Sequence, residues 1–223
     1  MKRIVIAIDG PAASGKSTTA RLVAGRLGYL HIDTGAMYRA ITLKALQRKL
    51  DINDRGLIED LARGSEIHLE KLNGALRVFL DGTDVTGAIR SREVTASVST
   101  VSSYAGVREV MVREQRKLAG QGGVVLEGRD IGTVVLPHAD LKVFMVANVR
   151  ERARRRRKDL MATGIQANEE ELVSEIEARD RKDSTRATSP LRKADDAVEL
   201  DTSDLTIDQQ VEFIVTRART IIG

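Results

Sequence analysis

The stretch Gly10-Pro11-Ala12-Ala13-Ser14-Gly15-Lys16-Ser17 constrains this chain more than any other. It follows the apolar run Ile4–Ile8, which reads as a buried strand, and precedes Thr18–Ala24, which reads as a helix. A G-x-x-x-x-G-K-S pattern carries meaning only between a strand and a helix, and that is where it stands. The strand delivers the loop, and the glycines let backbone N–H groups turn inward around phosphate oxygens. The helix N-terminus adds partial positive charge at the same point. In such a loop Lys16 reaches the outer phosphates and the Ser17 hydroxyl ligates Mg²⁺. The chain therefore carries a phosphate site on a strand–loop–helix unit.

The alternation continues beyond that unit. A helix over 16–27 ends at Gly28 as its C-cap. Tyr29–Ile32 is a short strand, and Ala36–Leu50 has helical spacing, with Met37, Ala40, Ile41 and Lys44-Ala45 on one face. Asn53-Asp54 caps a short helix to about Arg63. Between Glu66 and Ile89 the texture changes. Ile67–Glu70, Leu76–Leu80 and Asp84–Thr86 read as short strands, punctuated by the hairpin signals Asn73-Gly74 and Asp81-Gly82. Helices resume over Ser91–Ser102 and Val107–Leu118, with Gly106 as punctuation. Val124–Leu126 and Leu141–Val146 are apolar strands, and Asn168 caps a helix reaching about Lys182. Ala197–Leu200 is the last strand and Ile207–Ile221 the last helix. Strands alternating with helices predict an α/β fold, a parallel sheet wrapped by helices, with a small antiparallel meander inserted.

Composition agrees and narrows the chemistry. A length of 223 residues suits one α/β domain with an insertion, or two small domains. Aromatic residues make up 3% and Trp is absent, so the core is built from Val, Ile, Leu and Ala, as buried parallel strands require. With no cysteine, disulfides, thiolate metal sites and a Cys nucleophile are excluded. Met1-Lys2-Arg3 runs straight into the first strand and no apolar run reaches membrane-spanning length; a cytoplasmic protein is expected. The net charge of +4 is mild beside that of dedicated nucleic-acid binders. Its arginines are clustered, and the planar guanidinium fork suits phosphate oxygens.

Four clusters leave alternatives open on their residues alone. In Asp33-Thr34-Gly35-Ala36-Met37-Tyr38-Arg39, at a strand's carboxyl end, Thr34 is either an ordinary cap or part of a site where Arg39 aims at a phosphate. Glu127-Gly128-Arg129-Asp130 is either a turn with a solvated ion pair or a grip for a phosphate and an amino group. Arg179, Asp183 and Arg186 share one helical face if the helix runs that far, either as an ion-paired stripe or as a binding face. Arg150–Lys158, with six Arg and one Lys in nine residues, is a solvated helix, a nucleic-acid patch, or a lid that brings donors to a transferring phosphoryl group.

Together these segments resemble the bacterial cytidylate kinases, in order and over nearly the whole chain. They comprise Asp9 to Thr18, Asp33 to Arg39, Glu127-Gly128-Arg129-Asp130-Ile131-Gly132-Thr133-Val134-Val135, and Arg179 to Arg186. The resemblance implies a three-layer P-loop fold with a five-stranded parallel sheet and a core of 1–63 and 104–223. It also implies a nucleotide-binding insertion at about 64–103 and a short Arg-rich lid at about 148–165. By position, Gly10, Pro11, Ala12, Ala13, Ser14, Gly15, Lys16, Ser17 and Thr18 would hold the phosphates of ATP, with Mg²⁺ on Ser17. Thr34, Ser99, Arg108 and Asp130 would line a cytidylate pocket. Arg39, Arg129 and Arg186 would hold the acceptor phosphate, and Arg179 and Asp183 would meet the sugar. Lys16, Arg129, Arg152 and Arg156 would serve the transfer. Asp130 suits cytosine, because a carboxylate accepts from the N4 amino group. The chain departs from relatives in having Glu127 where Asp is frequent, Thr34 where some have Ser, and its own spacers Lys182 and Ser184.

The activity implied is MgATP-dependent phosphorylation of CMP and dCMP by a cytoplasmic monomer, with no nucleic acid or membrane as partner. A phosphate monoester is already an anionic nucleophile, so alignment and charge neutralisation replace a general base. A kinase for UMP or for a metabolite hydroxyl is the nearest alternative. A regulatory GTPase would need an N-K-x-D motif, which is absent. A nucleic-acid module built on Arg150–Lys158 would leave the phosphate loop unexplained.

Overall fold

The computed structural model describes residues 2–72, 75–162 and 164–223. The first strand is β1 (Val5–Asp9), nearly all buried, as expected of a strand covered on both faces. It leads through the phosphate loop into α1 (Lys16–Leu27), which stops at Gly28 in the left-handed conformation with φ 68. Next come β2 (Leu30–Asp33), α2 (Thr34–Gln47) and α3 (Arg55–Arg63), then the short strands β3 (Ile67–Leu72), β4 (Ala75–Leu80) and β5 (Thr83–Asp84). α4 (Arg92–Val101) and α5 (Ala105–Ala119) precede β6 (Val124–Gly128) and β7 (Leu141–Val146). α6 (Val149–Ala162), α7 (Glu169–Thr185), β8 (Val198–Asp201) and α8 (Ile207–Ile222) complete the chain.

The chain divides into two compact units, one of residues 1–31 and 121–223, the other of Ile32–Gly120. The larger sheet runs β2-β6-β1-β7-β8, with β1 central and paired in parallel to β6 and β7, and β7 in parallel to β8. Five strands in this arrangement match the expected α/β fold. In the first unit, Ile4, Ile6, Ile8, Val125, Val143 and Met145 meet Val23 of α1 and Val211, Ile214 and Val215 of α8. Each is essentially inaccessible to solvent, and burial of such a side chain stabilises by about 1.5–3 kcal/mol. A second cluster of this unit joins Ala153, Leu172 and Ile176 between α6 and α7, with Ala13 of the phosphate loop packed against it.

The second unit holds the meander, an antiparallel sheet ordered β3-β4-β5. Asp81 and Gly82 both adopt positive φ, 49 and 80, the conformation of the expected two-residue hairpin turn. The other expected turn, Asn73-Gly74, lies outside the described residues. This unit takes in α2, α3 and α5 as well as the meander, around Met37, Ile41, Ile58, Val101 and Met111. Lys44, on the apolar face of α2, is buried because its ammonium reaches Ser65 Oγ at 2.8 Å and Asp81 at 2.6 Å.

Three local expectations need correction. The cap of α2 is Asp33, whose side chain accepts from Ala36 N; Thr34 is the first helical residue. α5 begins at Ala105, and Gly106 lies within it rather than before it. There its N–H donates to Glu59 at 2.9 Å, and a Cβ would collide with that side chain. α7 ends at Thr185, since Arg186 is already extended with ψ 140, so Arg186 leaves the helical face of Arg179 and Asp183.

Candidate active site

The phosphate loop leaves the carboxyl end of the central strand, where ligands of open α/β sheets bind. Gly10 has φ 148, and a Cβ there would lie 2.0 Å from the Met145 carbonyl oxygen, so only glycine lets the loop pass β7. Gly15, at φ 95, stands as N-cap of α1 without a side-chain cap, which leaves the first helical amides to the loop's ligand. Lys16 Nζ donates to the Pro11 carbonyl at 2.5 Å and to Ser14 Oγ at 3.2 Å. Burial pushes the Lys16 ammonium well below its usual range, and nearby Arg129 pushes it further; Glu127 and Asp9 oppose the shift.

Ser17 Oγ donates to Glu127 Oε2 at 2.7 Å, and His31 Nε2 lies 3.1 Å from the other carboxylate oxygen. A hydroxyl beside a buried carboxylate offers hard oxygen donors, so these residues fit Mg²⁺ as well as the glycine-lined loop fits a triphosphate. Beside them Asp9, also buried, accepts from Ile131 N at 2.8 Å and Gly132 N at 2.7 Å. Burial raises its carboxyl to about 6; those two N–H groups and Lys16 work against the rise and Asp130 adds to it.

Past β6, Arg129 Nε donates to Asp183 Oδ2 at 2.9 Å, and Arg186 pairs with Asp130 at 3.6 Å. The pairs bring four expected site residues together, although Arg186 arrives from the extended segment after α7. Arg179 stands on α7 and contributes to the positive potential felt by Lys16.

The Arg-rich run forms α6, and most of its charge is matched. Arg150 pairs with Glu170, Arg154 and Arg155 with Glu151, and Arg157 with Glu169. Arg152 is buried between Asp180 of α7 and the Ala12 carbonyl of the phosphate loop. Arg156 makes no polar contact among the described residues.

In the second unit, Arg39 Nη1 donates to Thr95 Oγ1 at 2.9 Å, and buried Arg108 lies over the Tyr38 ring, 5.4 Å from its centroid, donating to the Ser102 carbonyl. Thr34 is buried at the start of α2, and Ser99 is half-buried on α4.

The sequence assigns no role to several residues in this region. Arg155 donates to the Ser14 carbonyl at 3.3 Å and to Thr202 Oγ1 and O, bracing the phosphate loop against the segment after β8. Buried Thr202 also reaches the Ser14 carbonyl at 3.0 Å, and Gln210 accepts from Thr19 at 2.8 Å. Asp9 had a visible sign, a carboxylate closing an apolar strand, and Arg155 stood in the arginine run; Thr202 and Gln210 had none.

Comparison with known proteins agrees with the geometry. The family model described as Cytidylate kinase matches residues 6–220. A protein named cytidylate kinase from Bacillus licheniformis is 51% identical over 96% of this chain and 95% of its own length. One of the same name from Pediococcus pentosaceus is 50% identical over 94% of this chain and 93% of its own. Among solved structures, a shikimate kinase from Bacteroides thetaiotaomicron superposes with a TM-score of 0.50 at 14% identity, covering 99% of each chain. A protein from Eubacterium ventriosum gives 0.51 at 12% identity, covering 98% of this chain and 99% of that one. The structural likeness speaks for the fold alone, and it is a fold in which the phosphate loop, the β6 end and the arginines of α7 all lie in one unit. With half of all residues shared along nearly the full length, the chain belongs to the cytidylate kinase family.

Proposed function

We propose that the protein transfers the terminal phosphoryl group of ATP to CMP and dCMP. The observation that carries this is the buried Lys16, held at the Pro11 carbonyl and Ser14 Oγ of the phosphate loop, in the same unit as the Arg129–Asp183 and Arg186–Asp130 pairs. Cations gathered around a phosphate loop and only partly balanced by Glu127, Asp9, Asp183 and Asp130 suit polyanionic ligands. Two sets of phosphates meet that need, one from the donor and one from the acceptor.

Gly10 to Thr18 would hold the triphosphate, with α1's free amides and Lys16 neutralising it. Ser17 would hold Mg²⁺, its hydroxyl turned by Glu127; when bound, the ion neutralises charge on the transferred group. Arg129, Arg186 and Arg39 would hold the acceptor phosphate. Asp130 would accept from the cytosine amino group, and Arg179 and Asp183 would meet the sugar. For Thr34, Ser99 and Arg108 the family resemblance proposes contacts with the same monophosphate. No general base is needed, because the acceptor oxygen is already anionic; the residues align it and exclude water. Arg152 and Arg156, on a lid over about 148–165, would supply further donors, and Arg152 would first leave Asp180. The segment 64–103 would act as the nucleotide-binding insertion.

We further propose a cytoplasmic monomer acting on free nucleotides. The matched charges of α6 support nucleotides over nucleic acid, and no helix among the described residues is long and apolar enough to cross a membrane.

An ADP-release assay with MgATP against CMP, dCMP, UMP, AMP and GMP tests the reading. CMP and dCMP are expected to give the highest kcat/KM. A preference for UMP or a purine nucleotide would overturn it. Asp130→Ala should lose more with CMP than with UMP; equal losses would remove Asp130 from base reading.

A further inference from the structure

We propose that Asp9 is a positioning residue that ties the acceptor-binding pair Arg129–Asp130 to the root of the phosphate loop. The inference rests on the acceptor role given to that pair above.

Asp9 is the last residue of β1, and Gly10 of the loop follows it directly. Its two carboxylate oxygens take one N–H each, from Ile131 and from Gly132. These open a five-residue π-helical turn, Ile131–Val135, that begins immediately after Asp130. One side chain thus spans two strand ends, adjacent to the donor loop on one side and to Asp130 on the other. Amides at the start of a helical turn have no partner within it, and a carboxylate satisfies two with charge-assisted bonds.

The turn has little slack. A Cβ on Gly132 would stand 3.1 Å from Lys142 Cδ and 3.4 Å from Asp9 Oδ2. The Lys142 ammonium anchors the chain just beyond, on the Pro137 carbonyl at 2.6 Å and on Asp196 at 2.8 Å. The charged groups that act on the Asp9 carboxylate are Asp130 and Lys16. A carboxylate held without solvent is unfavourable for the fold unless it has a task, and here the task is to keep two loops in register. Asparagine cannot replace it, because one amide oxygen accepts while the NH₂ group faces the second N–H.

Steady-state kinetics on Asp9→Asn, Gly132→Ala and Asp130→Ala test this. Asp9→Asn should raise KM for CMP about tenfold and raise KM for ATP less, the scale expected of a small misplacement. Gly132→Ala should shift the turn and give the same split, and the double variant should fall short of the product of the two. The proposal is overturned if both variants keep KM for CMP within about twofold of wild type while Asp130→Ala raises it. Equal rises for both substrates, the mark of general loosening, overturn it too. If Asp9→Asn does not fold, Gly132→Ala decides by the same criteria. An unchanged KM for CMP in Asp130→Ala overturns the acceptor reading itself, and the proposal with it.

Discussion

The phosphate loop and the Arg129–Val135 segment occupy matching places, each past the carboxyl end of one of two paired parallel strands, β1 and β6. They are held in shape by different means. The loop carries its own conformational devices: glycines at φ 148 and 95, and a helix whose first amides point into it. The β6 segment has no such devices. It depends on a carboxylate from β1, a lysine from β7 and ion pairs to Asp183 and Arg186. A site whose geometry is local announces itself as a motif; one whose geometry is borrowed shows only as separate charged residues.

The comparison can be broken most sharply at Lys16. Lys16→Ala should lower kcat by about 10³ or more, since it removes a buried cation from the transferring charge. The ammonium is desolvated and crowded by Arg129, so the melting temperature should stay level or rise; calorimetry beside kinetics checks both. Activity above a few per cent would remove Lys16 from the transfer.

Next in size is an outside brace of the loop. Arg155→Ala should raise KM for ATP about tenfold and leave KM for CMP nearly unchanged, the mirror image of the Asp9 variants. Arg157→Ala, two residues on and paired only at the surface with Glu169, should change neither by more than about twofold. Equal effects of the two substitutions would mean that α6 acts through charge density rather than through Arg155.

The smallest effect is on stability against pH. The folded-state carboxyl of Asp9 is raised to about 6 from an ordinary 3.8, so between these values the folded protein binds the proton that the unfolded chain has released. Stability from this group is therefore lost as pH rises from about 4 to 6, and Asp9→Asn has no such dependence. Denaturant melts should show wild type losing up to roughly 3 kcal/mol relative to the variant across that window. A constant difference would show that Asp9 titrates normally.

How far the sequence could be read follows the same division. Strand and helix alternation, the caps Asp54 and Asn168, and the turn at Asp81-Gly82 rest on near neighbours, and all stand in the structure. The π-helical turn at Ile131–Val135 looks like an apolar run, because what bends it comes from residue 9. The departure of Arg186 from the helical stripe is fixed by residues just downstream and by one far off: Leu191 N donates back to the Asp183 carbonyl, Arg186 Nε donates to Ser189 O, and Arg186 pairs with Asp130. Within the arginine run nothing local separates Arg155 from Arg154, although one braces the loop and the other faces solvent. That difference appears only when Thr202, far along the chain, is in place.

The α6–α7 hairpin carries a consequence for the order in which the molecule comes apart. Its own apolar cluster has three fully buried residues, Ala153, Leu172 and Ile176, and its outer ion pairs, Arg150–Glu170 and Arg157–Glu169, are largely in water. Pairs of that kind weaken with salt, whereas the isoleucines of β1 are indifferent to it. In hydrogen exchange, amide protons of the hairpin should therefore exchange through a partial opening that leaves the sheet intact, and added salt should widen the gap between the two. Because Arg152 and Arg155 root that hairpin in the phosphate loop, the loop's carbonyl at Ala12 is released in the same event, while that of Ser14 keeps its bond from Thr202.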